Sequence, residues 1–326
     1  MPFTHSLVVR PALPLLVLFA ACGSDPTPAP IDAGPPDAQP SDMSVDGNLA
    51  DMFVLDEGVD GDAGTDASTV DAGPSCPDST CPAPGAGMLT VCGYVFDLES
   101  SRRIEDGAVA VRLYDALSLF ADTSSPPIAV TTSDACGFFR IVDAARPSLG
   151  YSAVVVDDAA ASDVRVTTAV VFPSPTSAAQ RVDALSLART TDSAWSAAAG
   201  LAASFGTRGA GVLIFTDPRT PAAPPIGETE SPLSGAPVAG VSPTVGGSPA
   251  APANTFYFSD LVASELSTIA TGASATAANG SVVMLNSSLV EHSGSGGEPA
   301  GCVWESKLSG TAPGLVVVTE LSATCP

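Results

Sequence analysis

The feature that most limits the fold is a series of short apolar runs, rich in β-branched residues and separated at regular intervals by turn residues. Runs of this length and spacing are typical of strands in an all-β sandwich. The predicted strands of this first set are Leu89–Phe96, Ala108–Tyr114, Ile128–Thr132, Phe138–Val142, Tyr151–Val156 and Val164–Phe172. Residues 85–173 are therefore expected to form one sandwich.

A second set of strands follows a connector at 174–208. The connector contains a predicted strand, Val182–Leu187, and a predicted short helix. Thr191 and Asp192 are its candidate caps, and Trp195 is expected to pack the helix onto a sheet. The later predicted strands are Gly211–Thr216, Thr255–Phe258, Ser281–Leu285, Cys302–Trp304 and Leu315–Leu321. They predict a second, degenerate sandwich at 209–326, interrupted by a proline-rich loop, Pro218–Pro232.

Two motifs in the first set carry a family resemblance. V-x-G-x-V-x-D occurs at Val91–Asp97, and D-x-x-G-x-F-x-I occurs at Asp134–Ile141. Together they resemble the carboxypeptidase regulatory-like domain, which implies a transthyretin-like or Ig-like β-sandwich without peptidase activity. Gly93 and Gly137, where these motifs meet turns, are expected to supply a positive φ or room for a neighbouring backbone.

The segment 22–84 differs sharply in composition from the rest of the chain. From Gly23 to Pro84 it contains thirteen Asp and Glu residues and no Lys or Arg, with abundant Pro, Ala and Gly. Such a composition cannot bury enough apolar surface to offset the entropy of ordering, so it predicts a disordered tether. A calcium-loop match that begins at Asp46 fails because Ala50 and Asp51 occupy the third ligand and glycine positions.

The amino terminus has the features of an export signal. Arg10 precedes an apolar run that is too short to span a bilayer and ends in small residues. Ala20-Ala21-Cys22 resembles the lipobox of bacterial lipoproteins, which implies cleavage after residue 21 and lipidation of Cys22. Several acyl chains would hold the protein on a membrane, because each buried CH₂ contributes about 0.8 kcal/mol. An ordinary secretory signal is the alternative.

The number of the other cysteines is consistent with export, because an even number of cysteines can all pair as disulfides in an oxidising compartment. The candidate disulfide cysteines, paired by proximity in the sequence, are Cys76 with Cys81, Cys92 with Cys136, and Cys302 with Cys325. A zinc site is disfavoured because the spacings are not those of CxxC knuckles and no partner histidine accompanies them. No metal or cofactor is predicted.

The distribution of charge argues against a nucleic acid partner. The formal net charge is -23, and the basic residues form no cluster beyond Arg102-Arg103. Phosphate backbones are bound by clustered Lys and Arg, so no nucleic acid partner is expected. Beyond the leader, no apolar run approaches the roughly 20 residues that a membrane-spanning helix needs.

Few residues could serve catalysis. His292 is the only histidine after the leader, and its glycine-rich surroundings predict a surface loop. Ser295 lacks the first glycine of a G-x-S-x-G nucleophile elbow. The paired acids that a glycosidase could use are Asp157-Asp158 and Glu228 with Glu230. Adjacent acids at turns are usually solvated, so the sequence predicts no catalytic residue.

These observations predict a noncatalytic binding or structural module, anchored to the membrane through Cys22 in a bacterial envelope. The outer membrane or the cell surface is favoured over the inner membrane. Envelope polysaccharide, peptidoglycan or another protein are the candidate partners, because rigid sandwiches carry recognition on their loops and edges. A hydrolase acting on glycan or peptide, and a pure spacer or assembly accessory, are the alternatives.

Overall fold

The structure is a computed structural model that describes residues 79–105, 109–157, 164–174, 179–225, 228–259, 266 and 268–326. These residues form mostly β-strands in sandwich-like sheets, which confirms the predicted all-β class. The leader, Cys22, most of the tether and Cys76 lie outside the described residues. Within the described ranges, no helix has the length and apolar character needed to cross a bilayer.

Every predicted strand overlaps an observed strand, because period-two burial and turn residues are local signals, but several strands between residues 236 and 309 were not predicted. In chain order they are β1 (Leu89–Asp97), β2 (Ala110–Asp115), β3 (Ala129–Thr132), β4 (Phe138–Ala144), β5 (Tyr151–Asp157), β6 (Arg165–Val166), β7 (Thr168–Pro173), β8 (Gln180–Arg181), β9 (Ala184–Ala188), β10 (Ala210–Asp217), β11 (Ala236–Pro237), β12 (Val241–Val245), β13 (Ser248–Pro249), β14 (Thr255–Phe258), β15 (Ile269–Ala270), β16 (Ser281–Leu285), β17 (Val290–Gly296), β18 (Val303–Trp304), β19 (Lys307–Ser309) and β20 (Val316–Thr324).

Helices are short. They are α1 (Ala116–Ala121), α2 (Arg189–Ala198), α3 (Phe205–Arg208) and a 3₁₀ turn at Pro252–Asn254. Thr191 and Asp192 lie inside α2 and do not cap it, because the helix begins at Arg189, before both residues. Trp195 is 2% exposed and packs edge-to-face against Phe258 at 4.7 Å between ring centroids, as expected for a residue that holds a helix on a sheet.

The strands form three sheets. The long sheet follows the order β15-β14-β16-β10-β20-β7-β5-β2-β3, with β11 paired to β10 and β18 paired to β20. The second sheet follows β4-β1-β9-β6, with β8 paired to β1, and the third follows β13-β12-β17-β19. Strands β7 and β20 pair in parallel, with Val170 opposite Val318. One continuous sheet therefore crosses the boundary predicted at 174–208, and the two predicted modules share it.

Several hydrophobic clusters lie along the long sheet, and two of them show how its faces are covered by another sheet. The first includes Leu89 and Phe139 from the second sheet together with Val154 from β5. Another includes Val241 from the third sheet together with Phe215 from β10. Both arise because strands with one apolar face must cover that face with another layer.

The two motif glycines have structural roles in the backbone. Gly137 has φ +74° and closes a turn in which the Asp134 carboxylate accepts hydrogen bonds from the amides of Cys136 and Phe138, both at 2.9 Å. Gly93 allows a close approach, since a Cβ there would collide with the carbonyl oxygen of Val182. Both observations match the structural role predicted for these residues.

The disulfides partly differ from the proximity pairing. Cys302 is joined to Cys325, as predicted, but Cys92 is joined to Cys81. The predicted Cys92–Cys136 and Cys76–Cys81 pairs are wrong. In the register of β1 with β4, Cys92 lies opposite Arg140. Cys136 is four residues away along the strand direction, roughly 13 Å, which a disulfide cannot span. Cys136 is itself disulfide-bonded.

Candidate functional site

His292, predicted in a surface loop, lies on β17 and is only 1% exposed. Its Nδ1 is 2.9 Å from the carbonyl oxygen of Val290, so Nδ1 donates and carries the proton of the neutral ring. Burial lowers the pKa of His292, and the Val290 bond opposes this shift. The imidazole is therefore a neutral, buried group whose nitrogens both have partners.

The second partner of His292 is a hydroxyl that the sequence did not single out. Ser287 Oγ is 2.6 Å from His292 Nε2, and the hydroxyl donates to the unprotonated ring nitrogen. No carboxylate orients the imidazole, because the carbonyl of Val290 occupies that position. Ser295 lies elsewhere on β17 and donates to the carbonyl of Ser242 at 3.3 Å. Neither serine lines the cleft described below.

The acids considered for glycosidase chemistry are engaged in ion pairs. Glu230 accepts from Arg103 at 3.0 Å and from Arg181 at 2.8 Å, while Glu228 lies 3.8 Å from Arg103. Asp157 pairs with Arg112 at 2.6 Å. The ion pairs give each of these three carboxylates a structural role.

Asp158 lies outside the described residues, so the Asp157-Asp158 pair is tested only in part. The described residues contain no group of three His, Cys, Asp or Glu side chains arranged to hold a metal ion.

A cleft opens where the second sheet separates from the long sheet. Thr168, at the start of β7, donates to the carbonyl of Leu185 in β9, so the two sheets are in contact there. Further along β7, Val170–Pro173 face residues 180–183 across a cavity. The proline-rich loop, at 221–222 and 230–234, covers this cavity. We call the whole cavity the interlayer cleft.

The first part of the interlayer cleft, its polar arm, has a volume of about 650 Å³. Its charged lining residues are Arg181, Asp183, Glu230, Lys307 and Glu320. The carboxylate of Glu320 accepts from the backbone and side chain of Ser234 at 2.9 and 2.7 Å, which fastens the loop to β20.

Lys307 belongs to the polar arm and is also held in place. Its Nζ donates to the carbonyl of Glu320 at 2.8 Å and pairs with Glu305 at 2.8 Å. The polar arm therefore presents preorganised groups of both signs.

Asp183 is the most perturbed acid of the polar arm. Burial raises the pKa of its carboxyl, while the amide of Tyr94, which donates to it at 2.9 Å, and the charge of Arg181 act in the opposite direction. The guanidinium groups of Arg103 and Arg181 also lie over the ring of Tyr94, with their Cζ atoms 4.0 and 5.4 Å from the ring centroid. These contacts connect the ion pairs of the loop to the wall of the cleft.

The second part of the interlayer cleft, its apolar arm, has a volume of about 510 Å³. Aliphatic side chains, including Leu98, Ile214 and Leu233, line it together with five prolines. Among the described lining residues there is no aromatic and no charged side chain. Both arms share Leu185, Ile214 and Ala222 among their lining residues, so the two arms adjoin one another.

Sequence reasoning missed this cleft because its walls come from distant segments. Arg103 and Glu228 are 125 residues apart, and the charged residues of the polar arm extend from Arg181 to Glu320. One signal was present in the sequence. Glu228 and Glu230 are the only charges between Arg219 and the next strand, within a loop rich in proline. Such a loop needs cationic partners if it is to lie against the protein.

No family model matches the sequence, and no curated protein matches it significantly. Solved structures give weak similarities. The shaft pilin SpaA from Lactobacillus rhamnosus GG is 10% identical, with 75% of this chain and 100% of that chain covered and a TM-score of 0.21. A streptococcal ancillary pilin is 11% identical, covering 74% and 63%, with a TM-score of 0.22. The Bacillus anthracis TIE protein is 9% identical, covering 72% and 34%, with a TM-score of 0.20.

Proposed function

We propose that this protein is a lipid-anchored, noncatalytic binding module of a bacterial envelope and that its ligand occupies the interlayer cleft. The observation that carries the proposal is the cleft itself, which combines preorganised charges with a concave apolar wall. The volume of each arm lies in the range of small-molecule and cofactor sites, which are concave, mostly apolar and oriented by a few polar groups. Its charges are already paired, which suits recognition better than proton transfer.

The location rests on the amino-terminal sequence. Cys22 follows an apolar run and two small residues, and the acidic segment 23–84 would separate the module from the bilayer. Mass spectrometry of the mature N-terminal peptide should show an acylated Cys22. An unmodified cysteine, or cleavage at another residue, would remove the anchor from the proposal.

The carboxypeptidase regulatory-like resemblance supports the noncatalytic part of the proposal. Its two motifs supply Gly93 and Gly137, which shape the backbone and carry no reactive group. The envelope partner of the module is proposed to be polysaccharide, peptidoglycan or another protein, and the ligand of the interlayer cleft is proposed to be a smaller component that accompanies them.

The test is binding of the mature full-length chain to fractionated envelope extract. Ala222 lines both arms, so Ala222→Trp should block the cleft and abolish retention of the bound fraction. Ala253→Trp, at an exposed position in the 3₁₀ turn, is the matched control and should bind normally. Equal retention by both variants would show that the ligand binds elsewhere.

A hydrolase is the second candidate, and one contact favours it: the 2.6 Å distance between Ser287 Oγ and His292 Nε2. A serine activated by such a base reacts with fluorophosphonates. We expect the wild-type chain to remain unlabelled by a fluorophosphonate probe, as Ser287→Ala would. Stoichiometric labelling of Ser287 that disappears in the variant would favour the hydrolase.

A further inference from the structure

The two arms of the interlayer cleft adjoin one another and differ in polarity, because only the polar arm has charged side chains among its described lining residues. Around the polar arm lie the side chains of Arg181 and Lys307 and three carboxylates. The apolar arm, in contrast, offers leucine, isoleucine, alanine and proline, with hydroxyl and amide groups only from a few Ser, Thr and Asn residues. A ligand that fills both arms must be amphipathic, because a polar group in the apolar arm would lose its hydrogen bonds to water.

The side chains of the apolar arm limit which kind of apolar group the ligand can place there. Flat rings are recognised by stacking on aromatic side chains, and the described lining residues of this arm include none. Aliphatic walls make contacts without direction, and their attraction grows with the apolar area that is removed from water. An alkyl chain therefore suits this arm better than a sugar face or an aromatic ring.

The charges of the polar arm limit the net charge that the ligand's head group can carry. An anionic head would meet Asp183, Glu230 and Glu320, and a cationic head would meet Arg181 and Lys307. Like charges brought together in a binding site are strongly disfavoured. A head that carries both a cation and an anion can place each beside its complement.

We infer that the interlayer cleft binds a single-chain amphiphile with a zwitterionic head group, its alkyl chain in the apolar arm and its head among the charges of the polar arm. This inference rests on the proposed function, since it names the ligand class of the same cleft. A protein fastened to a membrane by Cys22 would encounter such molecules at the bilayer surface.

The test uses the mature full-length chain with Cys22→Ser, so that neither attached lipid nor detergent interferes. The probe is radiolabelled dodecylphosphocholine below its micelle concentration, which should bind saturably with a stoichiometry of one in equilibrium dialysis. Unlabelled dodecylphosphocholine should displace it. Dodecanoate should require about a tenfold higher concentration because of its like-charge contacts. Glycerophosphocholine, which has the head but no chain, should not displace the probe.

Ala223 lines only the apolar arm, so Ala223→Trp should weaken probe binding by about tenfold or more by filling the space. Ala253→Trp should bind the probe as the unsubstituted chain does. Absence of saturable binding, or equal binding by the two variants, would overturn the inference. If the probe fails to bind while envelope fractions are still retained in a manner that Ala222→Trp abolishes, the amphiphile is wrong and the binding module stands. If neither binds, both proposals fail.

Discussion

Replacing Gly93 by alanine tests how the wall of the interlayer cleft is built. Gly93 lies in β1, and a Cβ at this position would collide with the carbonyl oxygen of Val182. The segment that carries Val182 and Asp183 also lines the polar arm. It must therefore move away from β1 in Gly93→Ala, and the cleft should change shape with it.

The magnitude follows from the contacts that are lost. Overpacking of a well-packed interior costs about 1–3 kcal/mol. Two hydrogen bonds depend on the same approach: the Val182 amide donates to the carbonyl of Cys92, and the Tyr94 amide donates to Asp183, both at 2.9 Å. Each contributes about 0.5–1.5 kcal/mol. We expect a loss of about 2 to 6 kcal/mol, which would lower Tm by about 4 to 24 °C for a folded unit of this size.

Thermal unfolding followed by circular dichroism measures this loss, and Gly211→Ala is the matched control. Gly211 lies in β10, where an added Cβ would meet the carbonyl oxygen of Gly310 at 3.4 Å, an ordinary van der Waals distance. Its Tm should change by the equivalent of less than about 1 kcal/mol. If the two variants unfold at the same temperature, the close approach of β1 to Val182 is not what positions the cleft wall.

Three further predictions concern stability. Because burial lowers the folded-state pKa of His292, the unfolded chain binds its proton first, and this group removes stability as the pH falls below about 6.5. His292→Gln should therefore lose less free energy of unfolding between pH 7.5 and 5 than the wild type in urea titrations; parallel losses would contradict this. Because burial raises the folded-state pKa of Asp183, its contribution is present below the unfolded value and is lost as the pH rises through the folded value. Asp183→Asn, which can still accept from Tyr94, should be more stable than the wild type at pH 7, with the difference vanishing near pH 4; a variant that is less stable at pH 7 would refute the sign. Removing the bridge with Cys302→Ala and Cys325→Ala together should cost about 2–4 kcal/mol in the same assay, and an unchanged midpoint would show that the disulfide is not formed.

Prediction from the sequence succeeded where the signal was local. Strands such as Thr255–Phe258 and Ser281–Leu285 have the predicted bounds, because alternating burial and flanking turn residues are encoded within a few positions. Gly137 has the positive φ that its turn requires. Prediction failed for His292, because glycine and serine neighbours indicate a loop. In the fold, β17 is an interior strand between β12 and β19, and the imidazole of His292 is buried.

The sequence by itself determined the strand-forming segments, the turn at Gly137 and the acidic composition of residues 23–84. The partners of those strands and cysteines were decided only by tertiary structure: β7 pairs with β20 from the far end of the chain, and Cys92 is joined to Cys81, since the register of β1 with β4 keeps Cys92 away from Cys136. The interlayer cleft was also decided only by tertiary structure, because its walls come from three sheets and a loop. Periodicity specifies which face of a strand is apolar, but not which of many apolar faces will cover it.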